Sequence, residues 1–175
     1  MMTQARARPL AWLAASLLLL ATSASAQHLR LGGEAWQEDT PPPPPDFKAS
    51  KLVDIEMPAA SAIRMGIAAD TIQPNTDTGI VRYVVVARGP SAVNATYEGI
   101  RCATGEYRIY ARKVQDNPWS EETDSAWQSI RVSEGATTRY RWNLARDGMC
   151  DGPSVRGSAA QIIRELLSGN ESLYR

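Results

Sequence analysis

Histidine, lysine and cysteine are scarce in this 175-residue chain, and each scarcity excludes a class of function. His28 is the only histidine, which excludes metal sites built from several histidines and most catalytic triads. Lysine occurs only at Lys48, Lys51 and Lys113, and the formal net charge is zero. The chain therefore lacks the strongly basic field of a nucleic-acid-binding protein. We expect no nucleic-acid partner and no metal.

Several motifs that carry chemistry are also missing. The sequence has no Gly-x-Ser-x-Gly nucleophile elbow, no glycine-rich phosphate loop and no Cys-x-x-Cys redox pair. The motifs thus assign no catalytic residue and no cofactor.

The first 26 residues have the three zones of a signal peptide. Two arginines precede an apolar run over residues 10–21, and Ala24 and Ala26 supply the small residues that a signal peptidase requires. The apolar run is shorter than the roughly 20 residues that cross a bilayer. We expect cleavage between Ala26 and Gln27, a periplasmic location and no transmembrane anchor in the mature form.

Proline dominates the beginning of the mature chain. Pro41 to Pro45 follow one another without interruption, and acidic residues surround Trp36 just before them. Consecutive prolines favour an extended polyproline II rod and exclude a helix. We predict a disordered, proline-rich tether over residues 27–46 and one globular domain over residues 47–175.

The only two cysteines, Cys102 and Cys150, lie in the exported part of the chain. An even number of cysteines in an oxidising compartment predicts one structural disulfide.

Hydrophobic periodicity predicts an α+β domain. Residues 80–87 are rich in β-branched side chains and apolar on both faces, which is typical of a central strand. Short connections on either side favour an antiparallel meander of about four to six strands. Two C-terminal helices follow it, one capped by Thr137 or Thr138 and one by Ser158. The predicted strands cover residues 52–55, 63–67, 80–87, 93–102, 107–112 and 127–132.

Two runs resemble a known family. Residues 79–83 and residues 94–102, which end in Tyr-Glu-Gly-x-Arg-Cys, are similar to the core of the CNP1-like family. Tyr110, Ala111, Trp119, Trp127 and Cys150 follow in that family's order. The resemblance spans residues 46–167 and implies an exported envelope protein. It transfers no catalytic residue, and this chain lacks the lipid-attachment cysteine of the family's lipoproteins.

Charged residues on the predicted central strands form one candidate site. Arg82, Glu98 and Arg101 would lie close together if the two long strands pair, as an ion-pair network or as a site for an anionic ligand. A weaker hypothesis pairs Asp70 with Glu98 as the two carboxylates of a hydrolase acting on cell-wall glycan or peptide.

Aromatic residues form the other candidate site. Tyr97, Trp119 and Trp127, with Tyr107 and Tyr110, would serve either as a platform for sugar rings or as core. The function predicted from the sequence is a non-catalytic periplasmic module that binds or supports an envelope protein or a cell-wall component. The alternative is the hydrolase.

Overall fold

The computed structural model describes residues 36–132, residue 135 and residues 139–172. The predicted signal peptide, residues 27–35 of the predicted tether and the capping candidates Thr137 and Thr138 lie outside these residues. Within the described residues, no helix has both the length and the apolar character that crossing a membrane requires.

Eight strands form one antiparallel sheet in the described part of the chain. The spatial order is β1-β2-β4-β5-β6-β7, with β3 paired to β4 and β8 paired to β6. The strands are β1 (Leu52–Ile55), β2 (Arg64–Ala68), β3 (Gln73–Asn75), β4 (Ile80–Arg88), β5 (Val93–Arg101), β6 (Glu106–Val114), β7 (Ser120–Glu121) and β8 (Gln128–Ser129).

The central strands β4 and β5 are covered on both faces over most of their length. β4 is buried from Ile80 to Val86, which confirms the central position predicted from its apolar pattern. Side chains alternate between two hydrophobic clusters, one on each face of the sheet. We call the face that packs against the C-terminal helices the helix face. The opposite face, which residues 36–47 cover, is the strap face.

Two helices follow the sheet, as predicted, and complete the α+β fold. α1 (Tyr140–Leu144) continues into a π-helical turn (Ala145–Met149), and α2 (Ala159–Ser172) begins after Ser158, whose Oγ accepts a hydrogen bond from Gln161 N at 3.3 Å. α2 continues past Gly169, where the sequence predicted its end. Between the helices lies a small hairpin, β9 (Cys150–Asp151) and β10 (Ser154–Val155).

The predicted disulfide is confirmed. Cys102, directly after β5, is bonded to Cys150 at the start of β9, with their Cα atoms 5.6 Å apart. The bond therefore fixes the end of the central sheet to the helical end of the domain.

One predicted strand is shorter in the structure than in the prediction. Residues 127–132 were expected to form a strand, but β8 covers only Gln128 and Ser129, and a 3₁₀ turn follows over Ile130–Val132. Ile130 is buried in the helix-face cluster.

Candidate functional site

A segment without helix or strand, residues 36–47, lies on the strap face, and we call it the N-terminal strap. At its beginning, Trp36 Nε1 donates to the carbonyl of Thr78 at 2.9 Å, and the Trp36 ring lies 3.5 Å from the Arg101 guanidinium carbon. At its end, Phe47 meets Trp119 edge to face, with ring centroids 6.1 Å apart. Aromatic contacts thus anchor both ends of the strap.

Residues 36–46 of the predicted disordered tether make contacts with the domain, and residues 27–35 lie outside the described residues. The consecutive prolines belong to no helix or strand, as their chemistry predicts. The side chains of Trp36, Glu38 and Asp39 nevertheless attach the segment to the domain. Their partners lie far along the sequence, so no local pattern shows them.

Glu38 is the centre of the site. Its Oε1 accepts hydrogen bonds from Tyr110 Oη at 2.5 Å and from Arg82 Nη2 at 3.2 Å. Its Oε2 accepts from Arg108 Nη1 at 2.9 Å and from Trp127 Nε1 at 3.1 Å. The side chain is only 9% exposed. Four donors fill about all the acceptor positions that a carboxylate has, so the domain holds this group firmly in place.

Asp39 extends the contact to Arg82. Its carboxylate accepts from Arg82 Nη2 at 2.6 Å, from Arg82 Nη1 at 3.1 Å and from Asn75 Nδ2 at 3.3 Å. The hydrogen bonds from Arg82 hold the pKa of Asp39 below its ordinary value. Burial alone would lower the pKa of Arg82, but its bonds to Asp39 and Glu38 outweigh burial and raise it.

A β-bulge places Tyr110 in the site. The register of β5 and β6 shifts between the pairs Tyr97 with Ala111 and Glu98 with Ile109, which leaves Tyr110 as the extra residue of β6. The ring of Tyr110 lies 5.2 Å from that of Tyr97. Burial and the bond to Glu38 raise the pKa of Tyr110, and burial raises that of Tyr97 to about 12. Both hydroxyls therefore stay protonated at neutral pH.

An open cleft of about 580 Å³ adjoins Asp39 and Arg82. Its lining is mostly polar and comes from the strap, from β3 and from the turn after β3. The lining residues are Asp39, Thr40, Pro42, Gln73, Pro74, Asn75, Thr76, Asp77 and Arg82.

A second saturated carboxylate lies on the helix face. Glu98 Oε1 accepts from Tyr83 Oη and from Tyr140 Oη, each at 2.8 Å. Glu98 Oε2 accepts from Arg141 Nη2 at 2.6 Å and from Arg141 Nε at 3.1 Å. Glu98 is 0% exposed, so this network stabilises the interior. Burial raises the pKa values of Tyr83 and Tyr140 well above the ordinary tyrosine value.

The structure separates the predicted cluster of Arg82, Glu98 and Arg101. Tyr83 is the direct partner of Glu98 across β4 and β5, so Arg82 points to the opposite face. Arg82 binds Glu38 and Asp39 of the strap. Arg101 lies on the strap face, under Trp36, with its Nη1 3.6 Å from the carboxylate of Glu106.

The proposed carboxylate pair of a hydrolase does not share an open groove. Asp70 is exposed in a 3₁₀ turn (Ala69–Thr71) after β2, whereas Glu98 has no contact with solvent. A carboxylate without solvent access cannot reach a polymeric substrate.

Four of the five predicted aromatic residues line the interface beneath the strap, and the fifth lies on the helix face. Tyr97 and Tyr110 are buried, and Trp119 and Trp127 are half-buried against Phe47 and Trp36 respectively. The fifth predicted residue, Tyr107, donates to Gln128 at 2.9 Å and packs with its ring 4.0 Å from the Arg141 guanidinium carbon.

Sequence reasoning missed Glu38, Asp39, Arg108 and Arg141 as members of a site. The Glu38 carboxylate reaches partners 44 to 89 positions away. The one local signal was the acidic pair next to Trp36 in an otherwise proline-rich segment.

The comparisons with known proteins give one match. The model of the CNP1-like family matches residues 32–167, a range that takes in the strap, the sheet, α1 and the first part of α2. The chain matches no curated protein and no solved structure.

Proposed function

The chain belongs to the CNP1-like family, and from that premise we propose that it is an exported periplasmic protein whose mature domain is a non-catalytic binding or support module of the cell envelope. Two features support export. Residues 1–26 have the zones of a cleaved signal, and the Cys102–Cys150 disulfide is of a kind that persists in oxidising compartments.

The site around Glu38 carries the binding part of the proposal. Its donors converge on a carboxylate and hold it in place, an arrangement suited to recognition of an anionic group. Acid–base catalysis needs a group that exchanges protons with a substrate. Glu38 and Glu98 each accept four hydrogen bonds from side chains of the domain, which favours a structural or recognition role for both.

Export is tested by fractionating cells that produce the full chain and measuring the intact mass of the mature protein. The expected result is a periplasmic species that begins at Gln27. A cytoplasmic species that retains the first 26 residues would contradict the proposal.

Binding is tested by photo-crosslinking in cells. A photoreactive residue at Gln73 or Thr76 lies on the cleft beside Asp39, and a probe at exposed Asp116 does not line the cleft and serves as the control. The expected result is an envelope protein or wall fragment captured from the cleft positions and absent from the control. No adduct at the cleft, or the same adducts at all three positions, would contradict a binding site there.

A further inference from the structure

We propose that the strap face is a recognition site for an acidic peptide segment, and that residues 36–39 are its intramolecular occupant. A segment of another protein that presents an aromatic residue followed by adjacent carboxylates would take the same place. This inference rests on the proposed binding function and deepens it, because it names the site and the chemistry of the partner.

The site is built by the sheet and its loops, and the strap supplies only the ligand groups. Arg82 from β4, Arg108 and Tyr110 from β6 and Trp127 before β8 all donate to Glu38. With the strap in place Arg82 is only 3% exposed, so the carboxylates that bind its guanidinium do so in a site from which solvent is largely excluded. Clustered arginines and hydroxyl donors are the usual means of recognising acidic motifs.

The strap is held through side chains of a short stretch. Trp36 supplies the ring over Arg101, and Glu38 and Asp39 supply the carboxylates. None of the described strap residues belongs to a strand of the sheet. The side chains that make the main polar contacts of the strap therefore lie within four consecutive residues, Trp-x-Glu-Asp. A separate peptide with this sequence pattern can present the same groups.

The site has more donors than its present occupant uses. In the described part of the chain, no hydrogen-bond partner lies within reach of the buried Nε atoms of Arg82, Arg101 and Arg108, or of the Tyr97 hydroxyl. A buried donor without a partner is unfavourable, because it has lost its hydrogen bonds to water and gained none in the protein. A ligand with additional acceptors would satisfy groups that the strap leaves unpaired, which favours exchange of the strap for a better-matched segment.

The test uses the mature full-length chain with Glu38→Ala and Asp39→Ala, which frees the site, and a fluorescent peptide of residues 34–40. Fluorescence anisotropy should show saturable binding of this peptide. A peptide with the Glu38→Gln and Asp39→Asn changes should bind at least about tenfold more weakly, since neutral amides form weaker hydrogen bonds with the arginines than carboxylates do. The wild-type protein should bind the peptide more weakly than the variant, because its own strap competes at high effective concentration.

A folded variant that binds neither peptide, or both equally, overturns the inference. Because the variant itself risks misfolding, the test includes a second protein with the wild-type residues Glu38 and Asp39. This protein carries a protease site inserted between the exposed residues Pro42 and Pro43. It is cut after folding, so that the part of the strap before the cut is no longer covalently attached to the domain. Excess labelled peptide should then replace the cut strap. A cut protein that incorporates no labelled peptide also overturns the inference. Failure of peptide binding with a successful crosslink at Gln73 or Thr76 would leave the proposed binding function standing, with a different ligand.

Discussion

The hydroxyl of Tyr110 lies over Gly99, at a point only 2.8 Å from where a Cβ atom on residue 99 would stand. The same hydroxyl donates to Glu38 at 2.5 Å. The missing side chain at Gly99 therefore makes room for the tyrosine that binds the strap. The bulge in β6 brings Tyr110 to that position.

Gly99→Ala is expected to lower the free energy of unfolding by about 1–3 kcal/mol, because the added methyl group collides with Tyr110 and also stands 3.2 Å from Ile80. Urea denaturation measures the change. Gly89→Ala is the matched control, since its nearest atom would be 3.6 Å away, and its effect should stay within about 0.5 kcal/mol. Equal effects of the two substitutions would contradict this account of Gly99.

The positions of Arg82 and Glu98 on the central strands show which features of this fold a sequence predicts and which it does not. The sequence predicts two long neighbouring strands over residues 80–87 and 93–102, and both are present as β4 and β5. Whether Arg82 and Glu98 share a face depends on a register of one residue, which the turn and the packing decide.

The contacts that form the site around Glu38 were even harder to predict from the sequence. Glu38 and Tyr110 are 72 positions apart, and Tyr110 reaches the strap only because of a bulge. Neither hydrophobic periodicity nor motif spacing encodes such a contact. The disulfide, by contrast, followed from cysteine number and compartment alone.

Glu98→Gln is expected to cost about 3–5 kcal/mol of stability, because it leaves the buried guanidinium of Arg141 without its counter-charge. Glu122→Gln is the control: it removes an ion pair of similar length, 3.1 Å to Arg112, whose side chains are both exposed. That change should cost no more than about 1 kcal/mol. Comparable losses for the two variants, measured by urea denaturation, would argue against a buried network around Glu98.

Reduction of the Cys102–Cys150 bond is expected to lower stability by about 4 kcal/mol, the value that the chain-entropy relation gives for a loop of this length. The urea midpoint of the mature protein should therefore fall when a reductant is added. A double variant with serine at both positions should start at the lower midpoint and show no response to the reductant. A midpoint that reductant leaves unchanged in the wild type would contradict a stabilising role.

The contact of Asp39 with Arg82 predicts a dependence on pH. The pKa of Asp39 in the folded state lies below its ordinary value of 3.8, so the unfolded chain binds more protons at acidic pH. Its contribution to stability is complete above about pH 5 and is lost as the pH falls through the folded pKa. The stability difference between wild type and Asp39→Asn should accordingly shrink from about pH 6 to about pH 3. Asp46→Asn, at an exposed position of the same strap, controls for the loss of one negative charge. A constant difference for Asp39→Asn would refute the contact.

Carboxyl footprinting of the folded mature protein tests the central claim most directly, because Glu38 and Asp46 belong to the same strap but differ in burial. A carbodiimide, which activates carboxyl groups for attack by an added amine, should label exposed Asp46 readily and Glu38 at least about tenfold more slowly, since a local opening free energy of only about 1.4 kcal/mol gives that protection. In urea the two rates should converge. Equal labelling of Glu38 and Asp46 in the folded protein would show that the strap does not bind the sheet through Glu38, and would contradict the account.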